Sequence, residues 1–428
     1  MNDDVQRSPD IRSKALAPAR LTPVSGRSLP EQYRPENILR LTGTFPDGLR
    51  NPEFIELVSQ IYTGPVHTGN KIELFVDGGK AFGSVHQAFA TAHEEILLET
   101  YILRDDSTGR EMKEALAKAS ARGVLVRVLA DGFGSAATKP EFWRRMRDSG
   151  IKARLFHPLW SRLSDHFHRD HRKIIVVDQQ IAFIGGMNVG DEYGSSRKAK
   201  GKLWRDVQVR LEGPVAWELA VVFREGWERA GGDAFAISDW EAKDLGGAKC
   251  LVVDSRPGRG QHEKSAVFSA LVGASRRRLW ITNAYFAPRP IAIRALTAAA
   301  SRGVDVRLLL PGQSDVPLVR HAGHGFYAEL LVAGVRIFEY QPAILHEKSV
   351  VADDYVTLVG SSNLDFRSFH FNAECNVLIF DDPTAQRMTK AFEEDLHHAV
   401  EIRLEAWKQR PMMHRIGDAL ARRLSPLL

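Results

Sequence analysis

Five residue types recur twice along this chain at one fixed spacing. His171-Arg-Lys173-Ile-Ile-Val-Val-Asp178 has the form H-x-K-x4-D, and His346-Glu-Lys348-Ser-Val-Val-Ala-Asp353 repeats it 175 positions later. In each copy a glycine follows the aspartate by seven residues (Gly185, Gly360), and an asparagine follows that glycine by three (Asn188, Asn363). One copy would be a weak signal; five chemically distinct residues repeated in register are a strong one. Residues i and i+2 of an extended strand face one side, so His171 points with Lys173 and His346 with Lys348. The loops at Gly185-Gly186 and Gly360-Ser361-Ser362 let backbone approach an anion closely. Two imidazoles, two ammonium groups and two amides suit a phosphodiester. One imidazole would act as nucleophile and the other as acid and base, with four donors for the oxygens on phosphorus.

The elements that must position these groups are duplicated too. Ala115–Asp131 (ALAKASARGVLVRVLAD) reappears 180 positions later as Ala295–Pro311 (ALTAAASRGVDVRLLLP), and the strand-like strings Ile96–Tyr101 and Leu279–Tyr285 precede them. Ile72–Val76 reads as a strand, Asp77-Gly78-Gly79 as a turn and Ala81–His93 as a helix. Ile96–Leu103 is the next strand. Glu111–Arg122 is a helix with apolar spacing at Met112, Ala115, Leu116 and Ala119; Gly123 ends it and Val124–Leu129 is a strand. Strand, helix, strand implies an α/β fold. Chance likeness between such units could explain the helix–Gly–strand match alone, but not the duplicated chemical motif. The expectation is two similar α/β halves, each a mixed sheet flanked by helices, related by a pseudo-twofold with the active site at their interface. The halves are placed at residues 66–235 and 246–410. An N-terminal arm at 1–65, with Pro9, Pro18, Pro23, Pro30 and Pro35, is expected to be partly disordered or surface-lying. A basic amphipathic tail is expected at 411–428.

A chain of 428 residues has the length for such a duplication, and 44% hydrophobic with 26% charged residues excludes fibrous and fully disordered classes. No run of 18 apolar residues and no signal-peptide pattern is present, so neither a membrane-spanning helix nor export is expected. Two cysteines, Cys250 and Cys375, make no disulfide framework and fit a reducing compartment. The net charge of +5 favours a polyanionic neighbour, either nucleic acid or an anionic membrane surface.

The duplicated H-x-K-x4-D motif resembles the phospholipase D superfamily. The strings His171–Asp178, Ala182–Tyr193 (AFIGGMNVGDEY), Trp204-Arg205-Asp206 and Gly360–Asp365 (GSSNLD) are more narrowly similar to bacterial cardiolipin synthases. The resemblance runs from about Gly69 to about Asp382 and implies phospholipase D-like halves with a catalytic set of His171, Lys173, Asp178, His346, Lys348 and Asp353. It implies a two-step displacement through a phosphohistidine, with His171 as nucleophile and His346 as acid/base by family analogy; the near-symmetric halves do not order the two by themselves. Lys173, Lys348, Asn188 and Asn363 would bind the substrate phosphate, with no metal and no other cofactor. Asp178 and Asp353 read as loop-bracing groups, since seven residues along a strand is too far for acid/base work. Asp206 and Glu374 sit near the starts of the strands Asp206–Leu211 and Glu374–Phe380. They either accept from the far nitrogen of a catalytic histidine, fixing its tautomer, or pair with arginines such as Arg205 and Arg367.

Other signals are weighed against plainer readings. His166, His168 and His171 with Asp165 and Asp170 suggest a zinc site, but His171 is already explained and no cysteine lies near. Cys375 reads as a small core residue. Tyr101 and Tyr285-Phe286 occupy equivalent repeat positions and either line the cleft or belong to the core. In the tail, Met412, Met413, Ile416, Leu420, Leu424 and Leu427 recur at near-helical spacing among Lys408, Arg410, Arg415, Arg422 and Arg423. Such a helix either lies on an anionic bilayer or packs on the domain. The expected activity is cardiolipin synthesis: phosphatidyl transfer from one phospholipid (phosphatidylglycerol, or phosphatidylethanolamine) to the hydroxyl of another, with glycerol leaving. The expected setting is the cytoplasmic side of the cell inner membrane, peripherally bound. The alternatives are a phospholipase D-type hydrolase or transphosphatidylase, or a nuclease using the same residues. No nucleic acid is expected, because no basic stripe interleaved with aromatics is present.

Overall fold

The computed structural model describes residues 30–62, 64–158, 168–194, 203–237 and 244–427. Strands rich in Ile, Leu and Val are buried on both faces, as Ile96, Leu97 and Leu98 at 0% exposure show, and this requires helices on either side of the sheet. The first half contributes, from its outer edge, Lys152–Phe156, Leu125–Asp131, Glu95–Thr100, Ile174–Val177, Ile181–Gly185, Gln208–Glu212 and His67–Phe75. The second half continues with Ala248–Ser255, Asn372–Phe380, Val356–Gly360, Lys348–Ala352, Arg278–Asn283, Asp305–Pro311 and Arg336–Tyr340, the same order reflected outward from the centre. Ala399–Ile402 is added at its edge. The halves meet where His67–Phe75 pairs antiparallel with Ala248–Ser255, through His67 opposite Cys250 and Asn70 opposite Ala248. In each half the three strands joined by crossover helices are parallel, and the strand carrying the motif lysine or its neighbour runs antiparallel beside them.

The repeated helices Ser107–Ala121 and Pro290–Ser301 both end on a glycine in the left-handed region, Gly123 at φ +95° and Gly303 at φ +88°, which turns the chain directly into the next parallel strand. One face of the sheet is covered by Pro214–Arg229 and Asp382–Leu396. They join residues of both halves into one apolar layer, with Val209, Val222, Val252, Val377 and Phe392 all buried. The halves therefore cannot separate without opening a shared core.

The arm differs from its expectation over its second part. Pro35–Thr42 and Pro52–Tyr62 are helices, and Ile38, Leu49, Phe54, Val58 and Ile61 lie at 0–1% exposure within the second half's core. Pro35 and Pro52 stand in the first turn, where the missing N–H costs nothing, so these prolines start helices rather than mark disorder. The rest of the arm, residues 1–29, lies outside the described residues, as do His166 and Asp165 of the zinc reading. Both cysteines are free and buried. No helix among the described residues is long and apolar enough to cross a membrane.

Candidate active site

Each histidine is delivered to the opposite half. Arg169-Asp170 of the first half pairs in parallel with Asn372-Ala373 of the second, and the equivalent bridge runs between Leu345 and Arg205. These bridges set the residue that follows. The His171 N–H donates to the Ala373 carbonyl at 2.9 Å, and the His346 N–H donates to the Arg205 carbonyl at 2.8 Å. The side chains cross in the same way. His171 Nδ1 lies 3.1 Å from Glu374 Oε2, and His346 Nδ1 lies 2.7 Å from Asp206 Oδ2. A carboxylate only accepts, so each Nδ1 carries the proton and each Nε2 keeps its lone pair for substrate. All four residues are buried, the histidines at 7% and 4% exposure.

The motif lysines sit beside their histidines. Lys173 Nζ donates to the His171 carbonyl at 2.6 Å, and Lys348 Nζ to the carbonyl of His346. Tyr101 lies edge-on to His171 at 5.0 Å between ring centres. Tyr193 (5.4 Å), Trp204 (5.1 Å) and Tyr285 (6.1 Å) surround His346. Asn188 uses its oxygen to accept from the Ile102 N–H at 3.1 Å and donates to the Tyr193 hydroxyl at 2.9 Å. That leaves one amide hydrogen for a ligand. Asn363 is buried at 2% exposure, and its side-chain oxygen has no hydrogen-bond partner among the described residues.

Asp178 and Asp353 are not brought to this site. Asp178 accepts the backbone N–H groups of His93, Glu94 and Glu95 at 2.8–2.9 Å, and Asp353 those of Arg276, Arg277 and Arg278 at 2.7–3.0 Å. Both lie past the far ends of their strands with positive φ, 49° and 51°, and tie the turn to the start of the neighbouring strand. Arg205, the alternative partner considered for Asp206, instead forms ion pairs with Glu347 at 3.1 Å and Asp395 at 2.7 Å, leaving the Asp206 carboxylate to His346.

Residues 85–197 and 268–396, most of each half, match the family model described as cardiolipin synthase, PLD-like domain. The chain is 32% identical over 380 residues to a cardiolipin synthase of Halalkalibacterium halodurans, covering 87% of this chain and 75% of that one. It is 36% identical over 366 residues to cardiolipin synthase A of Pseudomonas syringae, covering 85% and 76%. The chain belongs to the cardiolipin synthase family of phospholipase D-like proteins. The fold is similar to that of phosphatidylserine synthase from Haemophilus influenzae, at a TM-score of 0.65 and 14% identity over 87% of this chain and 99% of that one.

Electrostatics tie the two half-sites of this family member together. Burial lowers the pKa of His171, and Lys173 and the other half's Lys348 lower it further against the pull of Glu374. His346 is pushed down to about 3 by burial and Lys348, with Lys173 of the other half adding to the effect. Burial also lowers Lys173 to about 7 and Lys348 to about 8, although Glu374 and Asp206 oppose this in both. Burial alone would raise Glu374, but His171, Lys264 and Lys173 outweigh it and hold the carboxyl near 2. Asp206 likewise stays below its ordinary value: burial would raise it, but the hydrogen bond and charge of His346, with Lys348 and the Val207 N–H, together outweigh burial. The site is thus a cluster of depressed bases around two fixed carboxylates. An entering phosphodiester anion supplies the charge that favours protonated lysines and a protonated His346.

Sequence reasoning passed over several contributors. Ser361 donates to Glu374 at 2.5 Å and Ser368 at 2.8 Å. Lys264, buried at 5% exposure, donates to Ser255 Oγ at 2.9 Å and to the Ser368 carbonyl at 2.5 Å. Ser361 and Ser368 were visible as departures from the repeat, since Gly186 and Tyr193 stand at the matching positions. Lys264 lies outside the repeated strings and carried no signal.

Proposed function

We propose that this protein is a phosphatidyltransferase that makes cardiolipin from two phospholipids, phosphatidylglycerol serving as donor and acceptor. The observation that supports it most strongly is the crosswise pairing of His171 with Glu374 and His346 with Asp206, in which each half supplies the carboxylate for the other half's histidine and each Nε2 stays available to substrate. In the first step His171 Nε2 attacks phosphorus, the bond from phosphorus to the glycerol oxygen breaks, and protonated His346 gives that oxygen its proton. In the second, neutral His346 takes the proton of the acceptor hydroxyl, whose oxygen displaces His171 from phosphorus. Lys173, Lys348, Asn188 and Asn363 hold the non-bridging oxygens, where negative charge grows in each transition state. One diester is exchanged for another, so the reaction is nearly isoenergetic and calls for no nucleotide. The lipid substrates place the protein at a membrane surface, which we assign as the cytoplasmic side of the inner membrane with the protein bound peripherally.

Vesicles of labelled phosphatidylglycerol test the reading. Cardiolipin and free glycerol should appear in equal amounts. Phosphatidic acid as the sole lipid product would make the protein a hydrolase, and cleavage of oligonucleotides with intact lipid would overturn the lipid assignment.

A further inference from the structure

The C-terminal helix Met412–Leu424 is amphipathic but mounted with its apolar side outward. Met412, Met413, Ile416, Leu420 and Leu424 fall within an arc of about 120° at 100° per residue, and they are 73, 83, 52, 56 and 43% exposed. The residues turned inward are Asp418 and Ala421, at 2% and 4%. Polar contacts fix the helix to the protein. Asp418 accepts from His321 at 2.9 Å and Arg410 at 2.8 Å, while Arg422 donates to the Gly325 carbonyl at 2.8 Å and to Glu329 at 3.0 Å. Gly325 allows this close approach, because a Cβ there would meet the Arg422 Cβ at 2.7 Å. An ordinary surface helix hides its apolar stripe; this one is attached without using it.

Charge and position identify the occupant. An open groove of about 490 Å³ beside the helix is lined by Lys408, Arg410, Arg415, Arg422 and Arg423, with Asp418 as its sole carboxylate. Arg410 and Arg422 are used in fixing the helix, while Lys408 and Arg415 and Arg423 are exposed. Ala421 packs with Val319, Ala322 and Ala287 against Tyr285, the residue whose ring faces His346. The inward face of the helix is thereby joined to the wall of the catalytic site, with the apolar stripe on its outer side.

We propose that Met412–Leu424 is the membrane-docking surface of this protein: its apolar stripe enters an anionic bilayer while Lys408, Arg415 and Arg423 meet the lipid phosphates, presenting the His346 side of the site to the membrane. This deepens the phospholipid-transferase reading and rests on it. Apolar burial and attraction to anionic lipid add in such helices.

The test uses the full chain, vesicles of phosphatidylglycerol or phosphatidylcholine, and the variant Ile416→Asp/Leu420→Asp, whose positions are exposed. Wild type should sediment with phosphatidylglycerol vesicles far more than with phosphatidylcholine. The variant should lose about tenfold or more of that binding and as much turnover on vesicles, yet turn over short-chain phosphatidylglycerol below its micelle concentration at the wild-type rate. Arg415→Glu/Arg423→Glu should lose the preference for anionic vesicles. Unchanged vesicle binding in both variants overturns the proposal, as does a wild-type dimer that Ile416→Asp/Leu420→Asp converts to monomer, since a second copy would then cover the stripe. If no form turns over phospholipid, the transferase reading fails, while the binding comparison still decides the docking surface.

Discussion

The two half-sites share a backbone and differ in what surrounds it. Around His171, the partner carboxylate Glu374 is held by Ser361, Ser368 and Asn372 and lies in the field of Lys264. Around His346, Asp206 accepts from the Val207 N–H at 2.8 Å and from His346, with a glycine where the other half has Ser361. Lys264 also lacks a counterpart: it borders the cavity beside Lys348, while the matching cavity beside Lys173 has Ala81 there. Among the described residues the aromatic surroundings are unequal in the opposite sense, one tyrosine at His171 against two tyrosines and a tryptophan at His346. Duplication explains where both imidazoles stand; under the proposed reaction, the unlike neighbours would let one hold phosphorus while the other moves protons. A carboxylate held near 2 fixes the tautomer of His171, which suits the nucleophile's role proposed for it.

The largest effects should come from the histidines. His171→Ala and His346→Ala should each lower turnover by about 10⁴-fold or more without changing the melting temperature. A donor with a p-nitrophenyl leaving group needs no protonation. It should restore phosphoenzyme formation to His346→Ala and not to His171→Ala, and the opposite outcome would exchange their roles. Glu374→Gln and Asp206→Asn should follow at about 10²–10⁴-fold, with Glu374→Gln acting on phosphoenzyme formation even for the activated donor and Asp206→Asn sparing it. Lys173→Ala and Lys348→Ala should cost about 10²–10³-fold each, read as kcat/KM on vesicle substrate.

Exchanging the mismatched residues sharpens the comparison. Ser361→Gly removes one of several hydrogen bonds to Glu374 and should slow phosphoenzyme formation by about tenfold. Gly186→Ser should be far worse, because a Cβ there would lie 2.3 Å from Asp206 Oδ1. If both changes are equally mild, the half-sites are not built differently. The smallest effect is a pH dependence. Lys173 and Lys348 lose their protons near 7 and 8 in the free protein, so kcat/KM should fall as pH rises through that range. A bound phosphodiester favours the charged lysines, so kcat should hold to higher pH.

Much of this was legible in the sequence, and the gaps have physical causes. The repeated helix–Gly–strand strings and the H-x-K spacing are local patterns, and they sufficed for two α/β halves. The exchange of partners between halves is not local: His171 meets Glu374 across 203 positions and His346 meets Asp206 across 140, through bridges that exist only once the sheets dock. Sequence reasoning could name all four residues but not who meets whom. The helix Pro52–Tyr62 was hidden in plain view. Phe54, Leu57, Val58 and Ile61 have helical spacing, but the prolines of the arm point to a partly disordered or surface-lying segment, although at a first turn they favour a helix.

The central claim is that both halves serve a single phosphorus atom. Mass spectrometry of wild-type protein quenched in cold neutral denaturant during turnover of phosphatidylglycerol tests it most directly. One phosphatidyl group per chain, attached at His171 however large the excess of donor, is the result expected. Two groups per chain, one on each histidine, would mean two independent sites and would contradict it.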